Sequence, residues 1–569
     1  MDKNKHLVVR KYLKDHSLVE SNIVSFNNFI EKRMQEIVEE VSNTIDSEDF
    51  EINLGKIEVH KPQIIEADGS TSLITPSEAR LRNLTYSAPI TLEMTVKKDD
   101  QVDSQIVEIG KIPVMVKSKV CNLHGMSKEE LIANYEDPID SGGYFMINGN
   151  ERVMVMAEDL AENQPFIETN SKGNLILRMF SLKGTYRIPI TISESKEGIF
   201  EISFSRFRDL PLIVILKALG LTKESDIAKY IGKETDSVIV NLYEFVNLAT
   251  PEDAMMYIAE KTSLQGTKKE ILDRVKQRID SYLFPHIGQK KEDRIKKAVT
   301  LCKLIKQFLI SKENPNLRTD KDHYANKRVR LSGDLLSSLF RVNLGILVRD
   351  IQYSLQKSSK RKKFYSIKTI AKSTLFSHRV ESAIATGSWT GERSGVTQNM
   401  DKTNYLAMIS QLQRVSSMLP SDQENFMART LHPTHYGRFC PIETPEGTEI
   451  GLRKNLALLA KVSTRVDLEE SKFMKDLEKI GLDKEGTEGI DIFFNGIFIG
   501  GVKNAKDFVQ KIREQRRSNE LPIQLNIRDD HEFGTILIST EPGRVLRPLI
   551  IVENGESKLK NEHLIQLEQ

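Results

Sequence analysis

Residues 431–460 read LHPTHYGRFCPIETPEGTEIGLRKNLALLA, and neither a regular helix nor a central strand can hold them. Pro433, Pro441 and Pro445 each lack a backbone N–H, and Gly437, Gly447 and Gly451 admit the left-handed conformations of tight turns. Loops this long are uncommon in compact domains and are usually functional or disordered. Tyr436, Phe439, Ile442, Ile450 and Leu452 give this one apolar anchors, so an irregular loop of defined shape is expected. Just upstream, residues 385–417 read ATGSWTGERSGVTQNMDKTNYLAMISQLQRVSS, a polar stretch with Arg414 near its end.

Around this loop, strand and helix signals interleave irregularly. Ile23, Phe26, Ile30, Met34, Ile37 and Val41 recur three or four apart, a helical stripe over 21–41 with Ser21 as its candidate cap. Asn148-Gly149 and Asn495-Gly496 each lie between strand formers, at 144–147 with 152–156 and at 490–494 with 497–500, and both read as hairpins. Phe200, Ile202 and Phe204 alternate with Glu201 and Ser203 as in a half-buried strand. Helical patterns occupy 213–221, 268–283 and 293–309, and further strands are expected over 523–527 and 535–538. The fold class is therefore α+β and multidomain, and 569 residues allow about four domains.

Composition narrows the function classes. With 82 basic against 80 acidic residues the net charge is +2, so a nucleic-acid surface would have to be local, as in 357–363 (KSSKRKK) or 328–330. No apolar run approaches the roughly 18 residues of a membrane span. The start MDKNKHLVVRKYLKDH lacks a signal-peptide core, so no membrane partner and a cytoplasmic location are expected. Cys121, Cys302 and Cys440 lie far apart, which encodes neither a disulfide framework nor a cysteine zinc site.

His432 and His435 are spaced H-x-x-H, but a zinc site needs three or four ligands and Pro433 spoils a helical presentation. They are expected to hydrogen-bond loop backbone instead. Glu443 and Glu446, three apart on a proline-containing turn, are expected to accept backbone N–H groups or a basic side chain. The chain carries neither a D-x-D-x-D carboxylate cluster nor a G-x-x-x-x-G-K-[ST] phosphate loop, so no catalytic metal and no zinc are expected in it.

The passage 431–460 closely resembles the fork region of the second-largest subunit of multisubunit, DNA-dependent RNA polymerases, called β in bacteria and B in archaea. LRNLTYSAPI at 81–90, GKIPVMVKSKVCNL at 110–123, SGGYFMINGNERV at 141–153, DKDHYANKRVRLSGDLLSSLF at 320–340 and GRVLRPLIIV at 543–552 resemble successive signatures of that subunit, in order. The EADGS of 66–70 and the ITPSEARLRNLTYSAP that follows resemble archaeal rather than bacterial members.

This resemblance implies the N-terminal half of the archaeal second-largest subunit. It implies a protrusion over 1–185 and 322–384, a lobe inserted at 186–321, a fork over 385–455 and a partial external domain over 456–569. It also implies one side of a DNA cleft and one flank of an RNA–DNA hybrid channel. Gln398, Asp401, Asn404, Gln411 and Arg414 would then lie beside the hybrid, suiting a wall that grips phosphate and ribose without reading sequence. Bacterial members carry histidine where this chain has Gln411. Glu446 would lie close to template and incoming nucleotide, supporting nucleotidyl transfer whose Mg²⁺ is held by the largest subunit. The implied partners are the C-terminal half of the same second-largest subunit, the largest subunit, other polymerase subunits, DNA template, RNA transcript and NTPs. Strands at 523–527 and 535–538 are expected to lack pairing partners within the chain, and the polymerase is not expected to act from this chain alone. A rival reading is a non-catalytic nucleic-acid-binding scaffold derived from the same fold.

Overall fold

The computed structural model describes residues 5–567 apart from 43–50, 99–100, 171, 185, 233–234, 361–365, 390–392 and 485–488. The chain forms two compact units, one of residues 1–159, 322–464 and 543–569 and the other of 160–321 and 465–542.

In the first unit, helix Glu20–Asn28 continues through a π-turn, Phe29–Arg33, into helix Met34–Ser42. The apolar stripe faces inward as its spacing requires, with Phe26, Phe29, Met34, Ile37 and Val38 at most 1% exposed. Ser21 is not the cap. The helix begins at Glu20 without a side-chain cap, and Ser21 Oγ accepts the Val462 N–H at 3.3 Å, so a tertiary contact takes the hydroxyl. The stripe packs on helix Ser332–Lys360, where the Phe29 and Phe340 rings meet edge-on at 6.1 Å. Antiparallel strands Glu51–Val59, Ser87–Lys98 and Gln101–Pro113 lay Ile90, Leu92, Met94 and Val96 into the same core. Of the basic run at 357–363, Lys357 is exposed and the remaining side chains lie outside the described residues.

The hairpin Phe145–Ile147 to Asn150–Met154 turns on the expected pair, since Asn148 (φ 49°) and Gly149 (φ 73°) are both left-handed. A four-stranded sheet then gathers Lys327–Arg330, Met156–Leu160, Arg414–Ser417 and Arg453–Asn455, in that order. Its middle pair is parallel and its last pair antiparallel. This sheet carries the loop at 431–455.

In the second unit, Pro165–Thr169, Leu175–Lys183, Tyr186–Glu194, Phe200–Phe204 and Phe207–Pro211 form one antiparallel sheet. Helices Leu212–Ala218, Pro251–Lys261, Lys268–Tyr282 and Arg294–Glu313 pack on it around Phe200, Leu216, Ile258, Leu301 and Ile305. The boundary expected at 185/186 falls inside this sheet. Leu175–Lys183 pairs residue for residue with Tyr186–Glu194, so the unit begins at Leu160 instead. A second sheet orders Ile497–Val502, Ile490–Phe494, Thr535–Ser539 and Asn526–Asp530, and its hairpin turns on left-handed Asn495 and Gly496. The expectation of unpartnered strands near 523–538 is therefore corrected. Thr535–Ser539 is a central strand between two neighbours, which satisfies its backbone within the chain. Among the described residues no helix is long and apolar enough to cross a membrane.

Candidate functional site

The loop at 431–455 owes its shape to arginines that bond backbone carbonyls. Arg429 donates to the carbonyls of Thr448 at 2.6 Å, Ile450 at 3.1 Å, Ser421 at 2.9 Å and Gln423 at 3.2 Å. Arg438 donates to Val545 O at 2.9 Å and Thr434 O at 3.2 Å, and Arg547 donates to Tyr436 O at 2.9 Å. Gly451 must be glycine, because at φ 72° a Cβ would lie 2.1 Å from the Arg429 carbonyl oxygen. Two of the five expected apolar anchors are buried, Phe439 and Leu452. Tyr436, Ile442 and Ile450 are 53%, 85% and 49% exposed, because backbone hydrogen bonds hold the turns that those side chains were expected to pin.

Under the loop lies a buried polar cluster that no local pattern announces. The Glu158 carboxylate receives Lys454 Nζ at 3.0 Å on both oxygens, Lys327 Nζ at 3.0 Å and the Tyr324 hydroxyl. Burial alone would raise its pKa, but Lys454 and Lys327 outweigh that and hold it at about 2. The Tyr324 ring meets that of Phe439 at a tilt at 4.6 Å and that of His435 edge-on at 5.1 Å. Burial first, and then Lys454, push His435 down to about 4, so its ring is neutral at pH 7. His432 Nδ1 accepts the Thr434 N–H at 3.2 Å, the backbone bond expected of it. The 328–330 patch is not a free basic surface: Arg328 is buried and donates to Ala325 O and Lys327 O, and Arg330 pairs with Asp159 at 3.4 Å. Among the described residues no three His, Cys, Asp or Glu side chains gather into a metal-holding group.

Glu443 and Glu446 part company. Glu443 accepts the Ser410 hydroxyl at 2.5 Å and Asn455 Nδ2 at 2.9 Å, tying the loop to helix Tyr405–Leu412. These are side-chain donors, rather than the backbone or basic groups expected. Glu446 precedes the short turn Gly447–Glu449, and its exposed carboxylate bonds no described residue.

The polar segment 398–414 folds back on itself. Asn404 caps helix Tyr405–Leu412 by accepting the Ala407 N–H at 2.9 Å. Asp401 accepts the Thr403 N–H and hydroxyl at 3.0 and 2.7 Å, and these bonds, with Arg414 as a further cause, lower its pKa. Gln398 sits half-buried in strand Thr397–Asn399. Gln411 is not presented to solvent: it is 4% exposed, accepts Asp401 N–H at 2.8 Å and donates to Asn399 O at 2.9 Å. A glutamine packed against a returning segment spends both ends of its amide on backbone, which a polarity pattern cannot distinguish from an exposed one.

Arg414 is placed differently. Its strand neighbour across the sheet is Asn455, and with Glu443, Thr444, Pro445 and Arg453 these residues line a hollow of about 240 Å³. Arg453 pairs with Glu449 at 2.5 Å, whereas the Arg414 guanidinium has no hydrogen bond or ion pair among the described residues. The Arg414 guanidinium, half-buried and in the electrostatic reach of Asp401, shares the hollow with the Glu443 carboxylate, the Asn455 amide and Thr444, and its N–H groups can donate to an anionic group.

Known proteins share this sequence along most of its length. Residues 17–378 match a family model described as RNA polymerase beta subunit, residues 398–462 match RNA polymerase Rpb2, domain 3, and residues 492–553 match RNA polymerase Rpb2, domain 4. DNA-directed RNA polymerase subunit Rpo2 of Saccharolobus shibatae is 36% identical over 592 residues, covering 99% of this chain and 52% of that protein. The chain thus spans about half the length of that relative. Subunit Rpo2N of Methanocaldococcus jannaschii is 40% identical over 84% of this chain and 98% of its own length. Subunit Rpo2N of Halobacterium salinarum is 36% identical over 86% and 98%.

Proposed function

This chain belongs to the RNA polymerase beta subunit family, and on that premise we propose that it works as the N-terminal half of an archaeal second-largest subunit. In this reading it supplies one side of the DNA cleft and one flank of the RNA–DNA hybrid channel for template-directed nucleotidyl transfer. Mg²⁺ belongs to the largest subunit, and this chain contributes positioning and electrostatics. Its partners are the C-terminal half of the second-largest subunit, the largest subunit and further polymerase subunits, with DNA template, transcript and NTPs as ligands, in the cytoplasm. Protrusion, lobe, fork and partial external domain are the names this reading gives to its parts.

The observation that supports it most is the hollow beside the loop at 431–455, with the Arg414 guanidinium, hydrogen-bonded to no described residue, on its wall. Arg414 grips phosphate in this reading, and Asp401 and Asn404 shape the approach to it. Glu446, exposed and bonded to no described residue, stands free to act toward template and nucleotide. The test is reconstitution of template-directed NTP incorporation with and without the partner half. Incorporation that needs this chain, the other half and the largest subunit together is expected. Arg414→Ala in that assembly should shorten elongation-complex lifetime and shallow its dependence on salt by about one unit of log–log slope, the signature of one lost phosphate contact. Full activity from the largest subunit and this chain alone, or an unchanged slope, overturns the reading.

A further inference from the structure

Strand Arg453–Asn455 has an unusual residue turned inward. Lys454 is 6% exposed and turned toward the core, while its neighbours Arg453, half-buried, and Asn455, itself 4% exposed, both line the hollow. Side chains alternate along a strand, so the direction of Lys454 decides the direction of the other two. The pairing repeats the pattern across the sheet: Val415, fully buried, stands opposite Lys454, and Arg414 stands opposite Asn455. The face that holds Val415 and Lys454 is core, and the other face carries Arg414, Asn455 and Arg453.

A lysine is a poor choice for a core-facing position unless its charge is matched, since an unpaired ammonium favours the strand orientation that returns it to water. That orientation would turn Arg453 and Asn455 away from the hollow, because a one-residue change of register moves every side chain to the opposite face. The matching charge is Glu158 on strand Met156–Leu160, which receives Lys454 Nζ at 3.0 Å on both carboxylate oxygens. Tyr324 closes the cluster, its hydroxyl accepting from Lys454 at 3.0 Å.

We propose that Glu158 is a positioning residue for the hollow: by holding Lys454 in the core it sets which face of strand Arg453–Asn455 is offered to the ligand. It touches no ligand itself and acts through Lys454. The inference rests on the reading of the hollow as a phosphate-gripping wall.

The experiment is a double-mutant cycle in the assembled polymerase, with elongation-complex lifetime measured against salt for wild type, Glu158→Gln, Arg414→Ala and both together. Glutamine keeps the shape of glutamate and loses its charge. Glu158→Gln is expected to shallow the log–log slope by about one unit, as Arg414→Ala does, and the double variant to be no shallower than either single one. Should Glu158→Gln fail to assemble, Tyr324→Phe removes two hydrogen bonds from the same cluster, to Glu158 and from Lys454, and should move the slope in the same direction by less. A Glu158→Gln enzyme that melts earlier but keeps the wild-type slope has a merely structural residue there, and the inference falls. Slope changes that simply add also overturn it. If Arg414→Ala alone leaves the slope unchanged, the reading of the hollow fails, and this inference falls with it.

Discussion

The backbone of Gly333 runs so close to Ser25 that a Cβ on it would lie 2.2 Å from the Ser25 carbonyl oxygen. Gly333 N donates to Ser25 Oγ at 3.1 Å, and Ser332 Oγ donates to Asn22 O at 3.0 Å, so residues 331–334 form the joint between two buried helices. Gly333→Ala is expected to push those helices apart and to cost about 1–3 kcal/mol, the usual range for overpacking. A thermal melt of the chain reads this directly, and an unchanged midpoint would mean that the joint has slack.

Gln411→Leu should destabilise the segment 398–404. The substitution strands the part-buried Asp401 N–H and Asn399 carbonyl, at about 1 kcal/mol or somewhat more. Limited proteolysis is the sensitive readout, with cleavage near 398–404 expected to quicken while the rest of the chain resists. Equal protection in both proteins would show that water replaces the amide.

Acid should weaken the first unit over two successive pH ranges. Unfolded, the His435 ring titrates at about 6.5 and the Glu158 carboxyl at about 4.3. Folded, they are held at about 4 and about 2. Both folded values lie below the unfolded ones, so the unfolded chain binds more protons and stability is lost as pH falls. The His435 contribution is lost between about pH 6.5 and 4, and the Glu158 contribution between about pH 4.3 and 2. His435→Phe, which suits the ring cluster of Tyr324 and Phe439, should remove the first of these losses only. Denaturant midpoints that fall equally in both proteins between neutral pH and about pH 4 would refute the assignment.

Glu443 and Glu446 should separate cleanly on substitution. Glu443→Ala releases Ser410 and Asn455 and should raise hydrogen exchange across 441–455. Glu446→Ala removes no contact with a described residue, so stability should stay within about 0.5 kcal/mol, as for most surface changes. In the assembled enzyme, however, Glu446→Ala is expected to slow nucleotide addition. Normal addition kinetics would leave that carboxylate without a role.

What was legible in the sequence follows a physical division. The Asn-Gly hairpins, the stripe through Phe26 and Ile37 and the irregular loop rest on local backbone chemistry, and each is where its signal puts it. The burial of Gln411 and the exposure of Ile442 and Tyr436 depend on which distant backbone groups need partners. Polarity at a single position carries no trace of that. The Glu158 cluster is the extreme case. Glu158, Tyr324, Lys327 and Lys454 come from segments far apart, each looking like an ordinary surface residue in its own neighbourhood.

That separation has a temporal side. Glu158 and Lys454 are 296 residues apart, and strand Met156–Leu160 pairs in parallel with Arg414–Ser417 rather than with anything made soon after it. Chains are synthesised at roughly 5–20 residues per second, so Glu158 waits on the order of 8–34 s for Lys327 and 15–60 s for Lys454. Lys327–Arg330 can cover one edge of the Met156–Leu160 strand early, but the edge that Arg414–Ser417 will take must avoid other partners until that strand is made. The sheet beneath the hollow therefore cannot close until Arg453–Asn455 is made, and slow translation or a chaperone-binding step between residues 160 and 455 should delay the hollow.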